Sequence, residues 1–266
     1  MAPTPHDTLF RSVFGLPQHA AAELGAVLPR ELVELLDLAE LRRGEGSFID
    51  DALHASSSDL LFRAPWRTGR NGPEARDGLE GLALAHARID PFLYLILEHQ
   101  GTFDPRMPLR LLGYLTRIWE RHRREHPTEL LLPPIVPLVI HHGAKPWRGP
   151  TRFGQQLLLP AGFAPPVSLL LLDFGFLLDD LTLCTDAELL ARGDDAMARL
   201  TLLALRNGRD RDDSFPRLVA AIRALWKDLR DPAAPSALTA LVSHVRHVDD
   251  APLAQVRDTI AAALTD

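Results

Sequence analysis

Residues 92–97 read FLYLIL, an unbroken apolar run that predicts a strand buried on both faces. The run stops at Glu98-His99-Gln100. Side chains alternate along a strand, so Glu98 and Gln100 share one face and His99 takes the other. Burying an unpaired carboxylate is costly, so Glu98 needs a cation, a proton or water. A solvated strand end and a functional site both satisfy that need. After a short connection with two prolines, residues 108–126 predict a helix, with Pro108 suiting its first turn. Leu111, Leu112, Leu115, Ile118 and Trp119 recur at three- and four-residue spacing on one side. Arg110, Tyr114, Arg117, Arg121 and Arg124 recur on the opposite side.

The pattern elsewhere is consistent with an α/β sandwich. His6-Asp7-Thr8 can cap a helix carrying Phe10, Val13 and Phe14, and residues 18–27 form a second. A strand is expected near residues 47–50, after a Gly44-Glu45-Gly46 turn. Another follows Ser56-Ser57-Ser58 and reads Asp59-Leu60-Leu61-Phe62, with Asp59 and Leu61 on one face. Residues 63–90 carry no strand pattern and read as a long hairpin insertion. Residues 135–140 form a further apolar strand, ended by His141-His142-Gly143. The order is helix, strand, strand, strand, helix, strand, which implies a mixed sheet flanked by helices. Residues 168–177 are ambiguous between strand and helix. Residues 188–205, 216–229 and 238–263 are helical. This divides the chain into a core over 1–150 and a mostly helical extension over 151–266.

Composition narrows the picture. Hydrophobic residues make up 46% of the 266, and charged residues 24%, so a core is affordable and disorder excluded. A net charge of −6 argues against a protein that coats nucleic acid nonspecifically. The segment 104–126 runs the other way, with six arginines against three acids. The single cysteine, Cys184, excludes an internal disulfide and fits a reducing cytoplasm. No secretory leader is visible, and no apolar run is long enough to span a membrane.

Three features therefore coincide: Asp59 heading one strand, Glu98 and Gln100 ending another, and a basic helix directly after. Two carboxylates from adjacent strands can hold Mg²⁺, with the carbonyl oxygen of His99 as a third ligand. Such a metal activates water and offsets charge on a phosphodiester, and Gln100 can orient that water. The arginine stripe with Tyr114 suits phosphate contact, although a solvated helix face has the same composition.

The stretches HDTLFRSVF, SFIDDALHASSSDLLF, YLILEHQGTFDPRMPLRLLGYLTRIW and PIVPLVIHHGAKPW resemble the recombination-promoting nuclease family, also labelled putative transposases. That family belongs to the PD-(D/E)XK phosphodiesterase superfamily. The resemblance covers roughly residues 6–206. It implies an α/β fold with a PD-(D/E)XK-like αβββαβ core and metal-dependent DNA cleavage. It places the family's acids at Asp59 and Glu98, and the superfamily's usual lysine at Gln100. Mg²⁺, with Mn²⁺ as a substitute, is the implied cofactor, DNA the implied partner, and a homodimer is left open. Three departures stand out. The 63–90 insertion is long, Gly101 replaces a frequent serine, and Gln100 cannot act as a base.

Other residues have plainer readings. His141 and His142 are neighbours on a strand and face opposite ways, so one metal does not take both. Cys184 reads as a core thiol. Asp7 and Arg11 read as a cap and a helical pair. Trp66 and Trp147 sit in loops, where packing is favoured over base stacking. Asp50 and Asp51 read as turn acids. The competing functions are a DNA endonuclease, a catalytically weak DNA-binding or protein-interaction module, and an RNA or nucleotide phosphodiesterase.

Overall fold

The computed structural model describes residues 4–44, 60–67, 92–100, 102–160, 170–207, 214–225 and 241, and residues 92–100 by their backbone. The expected strand at 47–50, the 68–90 part of the insertion and nearly all of the expected helix 238–263 lie outside the described residues.

A five-stranded mixed sheet organises the chain, in the order β1 (Arg42–Arg43), β2 (Leu60–Pro65), β3 (Phe92–Gln100), β4 (Ile135–His141) and β5 (Leu177–Asp180). β1, β2 and β3 pair antiparallel, and β3, β4 and β5 pair parallel. Pro137 lies in β4 one residue before its pairing with β5 begins at Leu138 and Leu177. The missing N–H therefore falls where β4 has a strand on one side only.

Helices cover both faces. α1 (Pro5–Phe14) opens with a capping box in which the Thr4 hydroxyl accepts from Asp7 N–H at 3.1 Å. The cap is thus two residues earlier than His6, because Pro5 suits the first helical position. α2 (Pro17–Val27) and α3 (Arg30–Leu35) follow. Leu9, Phe10, Val13 and Phe14 of α1 join Leu60, Phe62 and Ala64 of β2 and Leu138 and Ile140 of β4 in the larger core. α6 (Ala196–Asn207) and α7 (Ser214–Leu225) complete it with Leu200, Leu202, Leu203, Leu218 and Ile222. Residues on both sides of position 150 share this core.

α4 (Met107–Glu125) covers the opposite face. Its Met107, Leu111, Leu115 and Ile118 pack on Val139, with Leu61, Ile135 and Leu178 at the margin. Burying four such side chains, at about 1.5–3 kcal/mol each, is what holds α4 to the sheet. The helix expected as one piece over 188–205 is two, α5 (Asp186–Leu190) and α6. Gly193 between them has φ +58°, a left-handed turn that ends the helical path.

A buried ionic cluster ties α2 to β5. Arg192 Nη1 lies 3.0 Å from Glu23 Oε1 and 2.6 Å from Asp179 Oδ2. Its Nη2 donates to Asp179 Oδ1 at 3.1 Å and touches Cys184 Sγ at 3.5 Å. Cys184 is half-buried against the larger core, and burial pushes its thiol up. Burial and the neighbouring Asp179 push Glu23 from an ordinary carboxylate value up to about 8, against the pull of Arg192.

Candidate active site

The parallel strands β3 and β4 end together, with Glu98 opposite Val139, His99 opposite Ile140 and Gln100 opposite His141. On the other side of β3, Leu97 is opposite Leu60. Asp59 lies outside the described residues, and Glu98, His99 and Gln100 are described by backbone alone. Among the described residues, no three His, Cys, Asp or Glu side chains gather in a way that could hold a metal.

The two histidines at the end of β4 diverge, as strand alternation requires. His142 meets the ring of His6 at 5.0 Å, which brings the first turn of α1 to this strand end. His141 meets the edge of Trp147 at 5.3 Å on the other side. Both are 1% exposed. His141 Nε2 lies 2.9 Å from the carbonyl oxygen of Lys145 and must be the protonated nitrogen to make that bond. Its buried Nδ1 has no hydrogen-bond partner among the described residues.

Trp147 fixes the loop beyond β4. Its backbone N–H donates to Asp180 Oδ2 at 2.7 Å, and its indole N–H donates to the Gly149 carbonyl at 3.0 Å. Asp180 Oδ1 also accepts from the backbone and hydroxyl of Thr182. The indole meets Phe103 at 5.1 Å and Phe176 at 6.0 Å, both edge to face.

The stripe Arg110, Tyr114, Arg117 and Arg121 does not form the side of α4 opposite the apolar residues that the spacing predicts. Tyr114 is 4% exposed and belongs to the core beneath α4. Arg110 Nε donates to its hydroxyl at 2.9 Å, and Arg110 Nη1 lies 3.6 Å from Asp104. Arg121 pairs with Glu125 one turn on. That contact holds the Glu125 carboxyl below its usual range. Arg117 is half-buried, and its Nη1 is a buried donor without a hydrogen-bond partner among the described residues. Arg110, Tyr114, Arg117 and Arg121 therefore border the buried side of the helix. The solvent side carries Leu109, Thr116, Glu120, Arg123 and Arg124.

Asp7 serves as the capping acid of α1. Asp50 and Asp51 lie outside the described residues. Trp66 forms a bridge with Leu36 and packs against the larger core. Sequence reasoning gave no role to Phe103. Its only sequence signal is an aromatic residue in the loop directly after β3.

Residues 4–73 and 83–231 match the family described as putative transposases, YhgA-like, and the chain belongs to that family. The chain is similar to recombination-promoting nuclease RpnD of Escherichia coli O157:H7, 29% identical over 246 residues, covering 91% of this chain and 81% of that protein. It is also 29% identical over 211 residues to the inactive recombination-promoting nuclease-like protein RpnE of Escherichia coli K12, covering 79% of this chain and 60% of that one. Recombination-promoting nuclease RpnC of the same strain is 29% identical over 140 residues, 53% of this chain and 39% of that protein. No solved structure matches the chain. No described helix is long and apolar enough to cross a membrane.

Proposed function

We propose that this protein is a metal-dependent DNA endonuclease of the PD-(D/E)XK kind, acting in recombination or in the transfer of mobile elements. The observation that carries the reading is the pairing of β2 with β3. Leu60 stands opposite Leu97, and these are the chain neighbours of Asp59 and Glu98. Asp59 precedes one member of that pair in sequence and Glu98 follows the other, which is the arrangement the acid pair of the proposed site would need. By register, the positions of Glu98 and Gln100 align with Val139 and His141. With α2 and α3 inserted after α1, the order α1, β1, β2, β3, α4, β4 supports the superfamily reading, and the names of RpnD and RpnC support a nuclease.

Asp59, Glu98 and the His99 carbonyl are hard oxygen donors, the set that suits Mg²⁺ or Mn²⁺. A bound ion supplies Lewis acidity toward a phosphodiester. Gln100 orients water by hydrogen bonding and carries no proton away. Arg110, Arg117 and Arg121 are the cations of α4 nearest in sequence to the strand end, and they would meet DNA phosphates. Tyr114 would contribute by holding Arg110.

A second reading, a DNA-binding or interaction module without catalysis, is favoured by the name of RpnE, an inactive relative at the same 29% identity. Supercoiled plasmid incubated with pure protein and Mg²⁺, Mn²⁺ or Ca²⁺ separates the two. Cleavage with Mg²⁺ is expected, lost in Asp59→Asn and in Glu98→Gln while circular dichroism stays unchanged. Gln100→Ala should slow it less. Wild-type cleavage by Asp59→Asn overturns the site. DNA binding without cleavage in any metal selects the second reading.

A further inference from the structure

The loops that follow β3 and β4 carry an aromatic surface that the acid pair does not explain. Phe103 is 44% exposed, yet its ring is held on two sides. The ring meets Trp147 edge to face at 5.1 Å. Its Cε2 edge abuts Gly149, where an added Cβ would overlap the ring atoms. Trp147 is itself fixed by its bonds to Asp180 and Gly149 and by the edge of His141. An exposed ring with so little freedom loses little entropy when something stacks on it.

The charges around it are unbalanced. Arg106, three residues after Phe103, and Lys145 and Arg148, on either side of Trp147, are all exposed. Among the described residues none of the three has an acid within ion-pair distance. The acids of this region already have donors. Asp104 accepts from Arg106 N–H at 2.8 Å and faces Arg110, Asp173 accepts from Arg152 and Gly154, and Asp180 accepts from Trp147 and Thr182. An aromatic face ringed by unpaired cations is complementary to a base with its flanking phosphates.

We propose that Phe103, backed by Trp147 and Gly149 and flanked by Arg106, Lys145 and Arg148, is a stacking platform for an unpaired base of a single-stranded nucleic acid. The choice of partner rests on the nuclease reading. A duplex keeps its base faces stacked, so only a single strand, a bulge or a frayed end presents the face this ring can take. Trp147, whose loop setting favoured packing over stacking, is the support, and Phe103 is the surface.

The test is fluorescence anisotropy of labelled oligothymidylate, oligouridylate and a duplex, in EDTA so that binding is read without cleavage. Phe103→Leu should weaken single-strand binding about tenfold, the stacking of one base, and leave the salt slope unchanged. Phe103→Trp should restore it. Gly149→Ala, which displaces the ring, should act like Phe103→Leu. Charge-neutral glutamines at Arg106, Lys145 and Arg148 should lower the single-strand salt slope by about two units. Equal losses with both oligonucleotides would make the partner a single strand of either sugar. Binding by Phe103→Leu within about twofold of wild type overturns the platform, and so does failure of Phe103→Trp to restore it. A duplex bound more tightly than either single strand also overturns it. Plasmid cleavage without single-strand binding overturns the platform and leaves the nuclease standing. Phe103-dependent binding without cleavage in any metal does the reverse.

Discussion

Glu23 and Asp179 share one guanidinium, Arg192, in a place where water does not reach Glu23, which is 1% exposed. Two buried carboxylates against one cation leave an excess negative charge if both ionise. Glu23 therefore keeps its proton up to about pH 8 in the folded state, whereas in the unfolded chain it loses it near 4.5. The folded form binds the extra proton between those values, so stability is full below about 4.5 and is lost as pH rises through about 8. Urea midpoints measured across this window should decline for the wild type. Glu23→Gln, which resembles the protonated acid, should flatten the decline and be the more stable form at pH 8. A parallel decline in both proteins would place the titration elsewhere. Nothing in the run Ala20-Ala21-Ala22-Glu23 marks a buried acid, because its partner Arg192 is 169 residues away.

At the scale of elements, α4 joins the sheet to the basic flank, and its arginines are unequal. Arg110 is engaged by Asp104 and Tyr114, and Arg121 by Glu125. Arg117 has a buried donor without a partner among the described residues. Arg117→Ala should therefore lower the salt slope of duplex DNA binding by about one unit. Arg121→Ala should lower it less, because Glu125 already pairs with that guanidinium. Equal slopes for both variants and the wild type would leave α4 without a phosphate contact at either position. The helix itself was legible, expected at 108–126 and found at Met107–Glu125, because its period is local. The strands at 92–97 and 135–140 were legible for the same reason. Its polar side was misread, since Tyr114 alternates with arginines in sequence but points into the core. β5 was missed because Leu177–Asp180 ends in two acids that look like a loop. Those acids are satisfied by Arg192 and by the Trp147 backbone, partners that no local pattern reveals. In the candidate site, Asp59, Glu98 and Gln100 stood out by residue type alone. Phe103 did not, because its setting is made by contact between two separate loops.

For the whole molecule, the larger core is built from both ends of the described chain. α1 and β2 supply one half, and α6 and α7 the other. A fragment of residues 1–150 should accordingly lack fixed tertiary structure, with a flat near-ultraviolet spectrum where the full chain has a structured one. A native-like spectrum from the fragment would show that the first half closes its own core. The same division has a consequence for the chain as it is made. α1 carries Leu9, Phe10, Val13 and Phe14 out of the ribosome well before Leu200, Leu202 and Leu203 exist to cover them. At about 5–20 residues per second, the interval is roughly 10–40 s. Throughout it the part of α1 that α6 covers is open to the cell's chaperones. An interrupted chain that already carries β2 and β3 still lacks α6 and α7, which complete the core that β2 shares, so a stalled ribosome releases a chain with that core unfinished.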